Sequence, residues 1–106
     1  MLGVLETSRL GDMASWSFET KKHLSTGEGG MILTNNSVLA DKMARLRSHG
    51  ITRQPSEMKK APDGPWYYEQ LNLGLNYRMN DVQAALGLSQ MDRLDEFIEK
   101  RNREVC

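Results

Sequence analysis

Ser17-Phe18-Glu19-Thr20-Lys21-Lys22-His23-Leu24-Ser25-Thr26-Gly27-Glu28-Gly29-Gly30 places a hydroxyl, two adjacent lysines and a Gly-Glu-Gly-Gly turn within fourteen residues. The run lies between two apolar segments that read as strands. Asp12 to Phe18 alternates loosely and ends in Trp16-Ser17-Phe18, as a buried strand entering a loop would. Gly30-Met31-Ile32-Leu33-Thr34 is a second short apolar strand after the glycines. A lysine fixed on a short loop beside a phosphate-sized polar pocket is what an enzyme needs to hold an aldehyde cofactor as an imine. The glycines serve the backbone turn, and Glu28 between them supports the loop.

Working outward, Asn35-Asn36-Ser37 offers N-cap side chains for a helix from about Val38 to His49, with Gly50 as its C-terminal stop. Val38, Leu39, Met43 and Leu46 share one stripe of that helix. Pro55, Pro62, Asp63-Gly64 and Pro65 then mark a loop of about fifteen residues, long enough to be a lid or binding loop. It ends in Trp66-Tyr67-Tyr68, which either line a pocket or pack. Leu71 to Met79 is extended or irregular, broken by Gly74. Asn80 caps a long helix running to about Arg103. Val82 to Leu88 is apolar nearly all round, so both faces are expected to be buried, whereas beyond it Met91, Leu94, Phe97 and Ile98 form a single stripe.

The bulk composition sets bounds. At 106 residues the chain is at most one domain, and its 39% hydrophobic and 26% charged residues are those of an ordinary globular protein. Lys+Arg and Asp+Glu both number 14, a balance that argues against a nucleic-acid partner. The sole cysteine, Cys106, precludes an internal disulfide and suits a reducing compartment. Met1-Leu2-Gly3-Val4-Leu5 is too short and uncharged for a secretory signal, and no run approaches the ~18 apolar residues of a membrane span. A cytoplasmic location with no membrane partner is expected. His23 and His49 lie in no Cys/His/Asp cluster at ligand spacing, so packing or loop bonding is favoured over a metal role. Two strands and two helices, one of them apolar nearly all round, are too little structure to cover that apolar surface. A mixed sheet normally has four or more strands, so the chain reads as a piece of a larger α/β domain.

The Ser17 to Gly30 stretch resembles the cofactor-lysine motif of the DegT/DnrJ-type sugar-nucleotide aminotransferases, whose pattern is Ser-Phe, three residues, Lys, four residues, Gly-Glu-Gly-Gly. Ser17, Phe18, Lys22 and Gly27-Glu28-Gly29-Gly30 fall at those spacings. The resemblance continues through Leu46-Arg47-Ser48-His49-Gly50, Leu75-Asn76-Tyr77-Arg78-Met79-Asn80-Asp81 and Gln83-Ala84-Ala85-Leu86-Gly87-Leu88-Ser89-Gln90, covering nearly all of the chain from Gly11 onward. Arg47 to Arg53 and Asp63 to Gln70 look most like the UDP-4-amino-4,6-dideoxy-N-acetyl-beta-L-altrosamine transaminase branch. That branch aminates a UDP-linked 2-acetamido-2,6-dideoxy-4-keto hexose on the pseudaminic acid pathway.

The resemblance implies an α/β fragment of the fold-type-I (aspartate aminotransferase-like) large domain, with pyridoxal 5'-phosphate (PLP) as cofactor. Residues 1–106 would carry the cofactor-lysine loop, two short strands, two helices and a long loop, with the N-terminal part and the C-terminal small domain absent. By position, Lys22 would bind the cofactor covalently and move the proton in transamination. The five-residue step from serine selects Lys22 over Lys21, and that role requires a desolvated, preorganised amine. Ser17 would anchor the phosphate, and Asn76 would reach the phosphate of the neighbouring subunit in a homodimer. On residue type alone Ser17 is a local cap and Asn76 a turn residue near Gly74. Arg78 would add charge near the shared site or make a salt bridge. The substrates implied are a UDP-linked 4-keto sugar and an amino-acid donor, glutamate. Relatives commonly carry His-Pro or Tyr-Pro after the Ser-Phe pair, where this chain has Glu19-Thr20. Two alternatives stand: a truncated, non-catalytic remnant or interaction fragment, and a sister sugar dehydratase, against which Lys22 speaks because those relatives lack the lysine.

Overall fold

The computed structural model describes residues 10–105. Met1-Leu2-Gly3-Val4-Leu5 and Cys106, on which the readings about a leader and a redox compartment rest, lie outside the described residues. Contacts group the chain into two units. One takes in the described residues up to Leu33 with those from Met79 on, and the other runs Thr34–Arg78.

In the first unit, β1 (Ala14–Ser17) pairs antiparallel with β2 (Gly30–Leu33), Ala14 opposite Leu33 and Ser17 opposite Gly30. Ala14 and Trp16 on β1 are half-buried and alternate with exposed serines, while β2 is exposed throughout. Gly30 has a backbone reason: a Cβ there would stand 2.8 Å from the Trp16 carbonyl oxygen. The helical part is α2 (Asp81–Met91) and α3 (Leu94–Val105). Asn80 caps α2 as expected, in a full capping box: its side chain accepts from Gln83 N–H and the Gln83 side chain accepts from Asn80 N–H. The first helix of the second unit, Ser37–Arg47, is α1.

The single long helix expected to Arg103 is instead two. At the junction Arg93 N–H turns to the Gln90 carbonyl (3.0 Å), the tighter i→i−3 bond of a 3₁₀ turn. The break falls where the apolar pattern changes from all-round to a single stripe, so each helix presents its own face. Of the expected stripe, Leu94, Phe97 and Ile98 are half-buried, whereas Met91 is 56% exposed. The expectation that both faces between Val82 and Leu88 are buried does not hold: Val82 is 80% and Leu88 70% exposed, and only Gly87 is buried.

In the second unit, α1 (Ser37–Arg47) is capped by Asn36, whose Oδ1 accepts from the N–H groups of Val38 and Leu39. It ends on two left-handed residues, His49 (φ 61) and Gly50 (φ 68), and the Gly50 N–H returns to the Arg45 carbonyl at 2.9 Å. The stretch from Ile51, expected as plain loop, carries two-residue strands β3 (Ile51–Thr52) and β4 (Glu69–Gln70), paired antiparallel, and a 3₁₀ turn at Pro55–Glu57. Glu57 holds that turn to its surroundings: Arg45 Nη2 donates to Oε1 at 2.6 Å, and the hydroxyl of buried Thr52 donates to Oε2. Glu69 closes the loop by accepting from the N–H groups of Lys59 and Lys60 (2.8 and 2.9 Å).

Among the described residues no large apolar side chain is fully buried; the buried ones are the polar Thr26 and Thr52 and two glycines. The four short strands and three helices of the described residues thus leave much apolar surface uncovered, including Leu73 at 92% exposure.

Candidate functional site

The lysine loop, residues 18–29, is closed at its base by two backbone bonds: Phe18 N–H to Gly29 O (2.8 Å) and Thr26 N–H to Phe18 O (3.0 Å). Inside it Lys22 N–H bonds Glu19 O at 3.0 Å, a tight turn that sets where the Lys22 side chain starts. Gly27 takes φ +81, which a glycine adopts at little cost. The Thr26 hydroxyl donates to Glu28 O at 2.9 Å and stands where any Cβ at Gly29 would go. Glu28 therefore supports the loop as expected, through its main-chain carbonyl.

Three side chains from the two helices hold this loop. Gln83 Nε2 donates to Glu28 O (2.9 Å), Gln90 Oε1 accepts from Ser25 N–H (2.8 Å), and Arg101 Nη2 donates to the carbonyls of Lys21 (2.8 Å) and Lys22 (3.2 Å). The motif containing Gln83 and Gln90 was legible in the sequence, but this use of it was not. Nothing in the sequence singled out Arg101. Lys22, His23 and Ser25 of the loop, with Gln90, Phe97, Lys100 and Arg101, line an open groove of about 270 Å³.

The chemistry-bearing side chains sit as follows. Ser17, the last residue of β1, is exposed, and its Oγ accepts from Glu19 N–H at 3.3 Å, while its own proton has no acceptor among the described residues. Lys22 is exposed rather than desolvated, because nothing among the described residues covers the groove. Its ammonium makes no hydrogen bond or ion pair with the described residues. The Thr20 hydroxyl (2.7 Å) and the Lys21 N–H (3.1 Å) hold the Glu19 carboxyl below the usual glutamate range, and the Lys22 charge acts in the same direction. Glu19 thus supplies a negative charge beside the lysine.

Asn76 belongs to the second unit. It forms an isolated antiparallel bridge with Ser48, flanked by Leu75 N–H to Leu46 O (2.8 Å), His49 N–H to Leu75 O (2.9 Å) and Tyr77 N–H to Arg47 O (2.9 Å). Two motifs that are distant in sequence, 46–50 and 75–78, are therefore one ladder. Gly74 lets them approach, since a Cβ there would meet the backbone of Leu46, His49 and Gly50. Asn76, Tyr77 and Arg78 are exposed, with Tyr77 at 73%. Trp66 and Tyr68 are exposed too, Tyr68 with Arg53 over its ring at 5.9 Å, so the aromatic cluster is no packed core.

Among the described residues no group of three or more His, Cys, Asp or Glu is placed to hold a metal ion, and no helix is long and apolar enough to cross a membrane. A primary amine beside an open groove, with a serine hydroxyl five residues before it that keeps a proton to donate, fits a phosphorylated aldehyde: the amine takes the carbonyl carbon and the hydroxyl a phosphate oxygen.

Comparison with known proteins agrees. Residues 6–105 match the model of the DegT/DnrJ/EryC1/StrS aminotransferase family. GDP-perosamine synthase of Caulobacter vibrioides is 41% identical over 94% of this chain and 24% of its own length. UDP-4-amino-4,6-dideoxy-N-acetyl-beta-L-altrosamine transaminase of Campylobacter jejuni is 38% identical over 87% of this chain and 22% of its own. The solved structure of Spr1654 from Streptococcus pneumoniae in its pyridoxamine-phosphate form superposes with a TM-score of 0.74 at 28% identity, over 91% of this chain and 25% of that one. The chain spans about a quarter of the length of these relatives, and its fold is that of part of a fold-type-I large domain. With its lysine loop, ladder and helices matched in order, the chain belongs to the DegT/DnrJ/EryC1/StrS family of PLP-dependent sugar aminotransferases.

Proposed function

We propose that this chain supplies the lysine-bearing part of a cytoplasmic, homodimeric aminotransferase. The enzyme moves an amino group from glutamate to the 4-keto carbon of a UDP-linked 2-acetamido-2,6-dideoxyhexose, as in pseudaminic acid-type biosynthesis. The observation that carries the reading is Lys22, an amine without a protein partner among the described residues, on a loop pinned by Gln83, Gln90 and Arg101. PLP, when bound, supplies the electron sink that makes the hydrogen on the reacting carbon acidic. Ser17 would donate its hydroxyl proton to a phosphate oxygen of the cofactor. Lys22 Nζ would hold the cofactor and would carry the proton at the reacting carbon as base and then acid. Asn76 of one subunit donates to the phosphate held by its neighbour. Further polypeptide, including the neighbouring subunit, excludes water from the groove and gives Lys22 the desolvation it lacks among the described residues.

UDP over GDP as the nucleotide rests on the resemblance of residues 47–53 and 63–70 to the UDP-sugar branch. A mass-spectrometric assay with PLP and glutamate compares a UDP-linked 2-acetamido-2,6-dideoxy-4-keto hexose with a GDP-linked 4-keto-6-deoxyhexose. Faster amination of the UDP sugar supports the reading; faster amination of the GDP sugar moves it to the perosamine type. The uncovered apolar surface favours a second reading, in which the chain alone is a non-catalytic or interaction fragment. Absence of amination with both sugars selects that one.

A further inference from the structure

We propose that Arg101 is a positioning residue for Lys22, and that it decides which of the two adjacent lysines takes the cofactor. This deepens the reading above and rests on it. Lys21 and Lys22 are consecutive, chemically alike and both exposed, so side-chain chemistry does not separate them. Their backbone does. Arg101 Nη2 lies 2.8 Å from the Lys21 carbonyl and 3.2 Å from the Lys22 carbonyl, one donor nitrogen shared between successive peptide oxygens. Sharing requires both carbonyls to point towards α3, and that fixes the peptide joining the two lysines. The Lys22 N–H is fixed as well, by the Glu19 carbonyl at 3.0 Å. With the carbonyls on both sides of its Cα and its own N–H held, Lys22 leaves the backbone in one direction, into the groove that Arg101 also lines.

Arg101 suits this task and its neighbours do not. Lys100 is committed to Glu96 at 2.6 Å and Arg103 to Glu99 at 3.6 Å, both along the helix. Arg101 makes no ion pair with the described residues, so its guanidinium is left for the two carbonyls that Nη2 reaches, and a lysine at this position would offer a compact ammonium on a flexible stem. The contact joins residues 80 positions apart, so it orders the loop only where α3 is docked.

The test uses the chain with PLP, trapping by borohydride and peptide mass mapping to give the ratio of label on Lys22 to label on Lys21. Wild type is expected to label Lys22 predominantly. Arg101→Ala is expected to lower the ratio about three- to five-fold, the size of one exposed charge-assisted contact. Arg101→Lys should give an intermediate ratio, and Arg103→Ala the wild-type ratio. Thermal melts of the same variants report folding separately: loss of fold would itself draw the ratio towards one, so each ratio is measured at a temperature where that variant is folded. An unchanged ratio in Arg101→Ala, with Lys22 still labelled, overturns this inference and leaves the proposed function standing. Failure of wild type to label Lys22 overturns that function, and this inference with it.

Discussion

The side-chain oxygen of Gln90 accepts a hydrogen bond from the backbone N–H of Ser25 at 2.8 Å, joining the end of α2 to the loop that carries Lys22. Sixty-five residues separate the partners, and the bond is partly buried. It gives a family motif with no visible chemistry of its own a mechanical task.

Removing that acceptor should loosen the loop locally. Gln90→Ala is expected to speed amide hydrogen exchange at Ser25 by about tenfold, the equivalent of about 1.4 kcal/mol, while leaving the amides of β3 and β4 unchanged. Exchange followed by NMR checks this; equal acceleration across the chain would indicate global loosening instead.

Two glycines with left-handed backbone should respond differently to the same substitution. Gly27→Ala meets no atom within 4 Å of the new Cβ, so it should lose about 1–2 kcal/mol from conformation alone. Gly50→Ala carries the same conformational cost and also drives its Cβ into the Asn72 backbone carbonyl. It should be the more destabilising by at least about 1 kcal/mol, measured by urea unfolding.

The Asn36 cap predicts a smaller effect. Asn36→Ala leaves the N–H groups of Val38 and Leu39 without their acceptor and should destabilise by about 1 kcal/mol, while Asn36→Ser should recover most of it. Far-UV circular dichroism melts distinguish the two.

The pH dependence has a defined sign. The Lys59 N–H, joined by the Lys60 N–H and the Tyr67 hydroxyl, holds the Glu69 carboxyl below the ordinary glutamate value, against a smaller opposing effect of burial. A carboxyl depressed in the folded state stabilises above its unfolded pKa, and that contribution is lost as pH falls through the lower folded value. Glu69→Gln should therefore weaken the chain near neutrality and flatten the acid limb of its stability profile. The carboxyl carbon shift of Glu69, followed by NMR titration, should show a midpoint below that of a glutamate in a model peptide. Because the site is solvent-facing, high salt should reduce the effect of the Lys59 charge.

What was legible in the sequence was local. Asn36, Asn80, Gly50 and the Gly27 turn act within four or five residues of themselves, so cap and turn chemistry located them. The lysine spacing is also local. β3 and β4 were not legible, since two residues cannot show alternation, and the break at Asp92–Arg93 has neither glycine nor proline to mark it. The contacts of Gln83, Gln90 and Arg101 span 55 to 80 residues and leave no periodic trace. Burial between Val82 and Leu88 was misjudged because an apolar run reports what a helix can bury, not what lies against it.

The central claim is that Lys22, and not Lys21, is the lysine that takes the cofactor. The most direct measurement is the yellow absorbance of lysine-bound PLP in a cofactor titration of wild type, Lys22→Ala and Lys21→Ala. A saturable band is expected in wild type, with its retention in Lys21→Ala and its loss in Lys22→Ala; a band that survives Lys22→Ala, or none in wild type at saturating PLP, would contradict the assignment of Lys22.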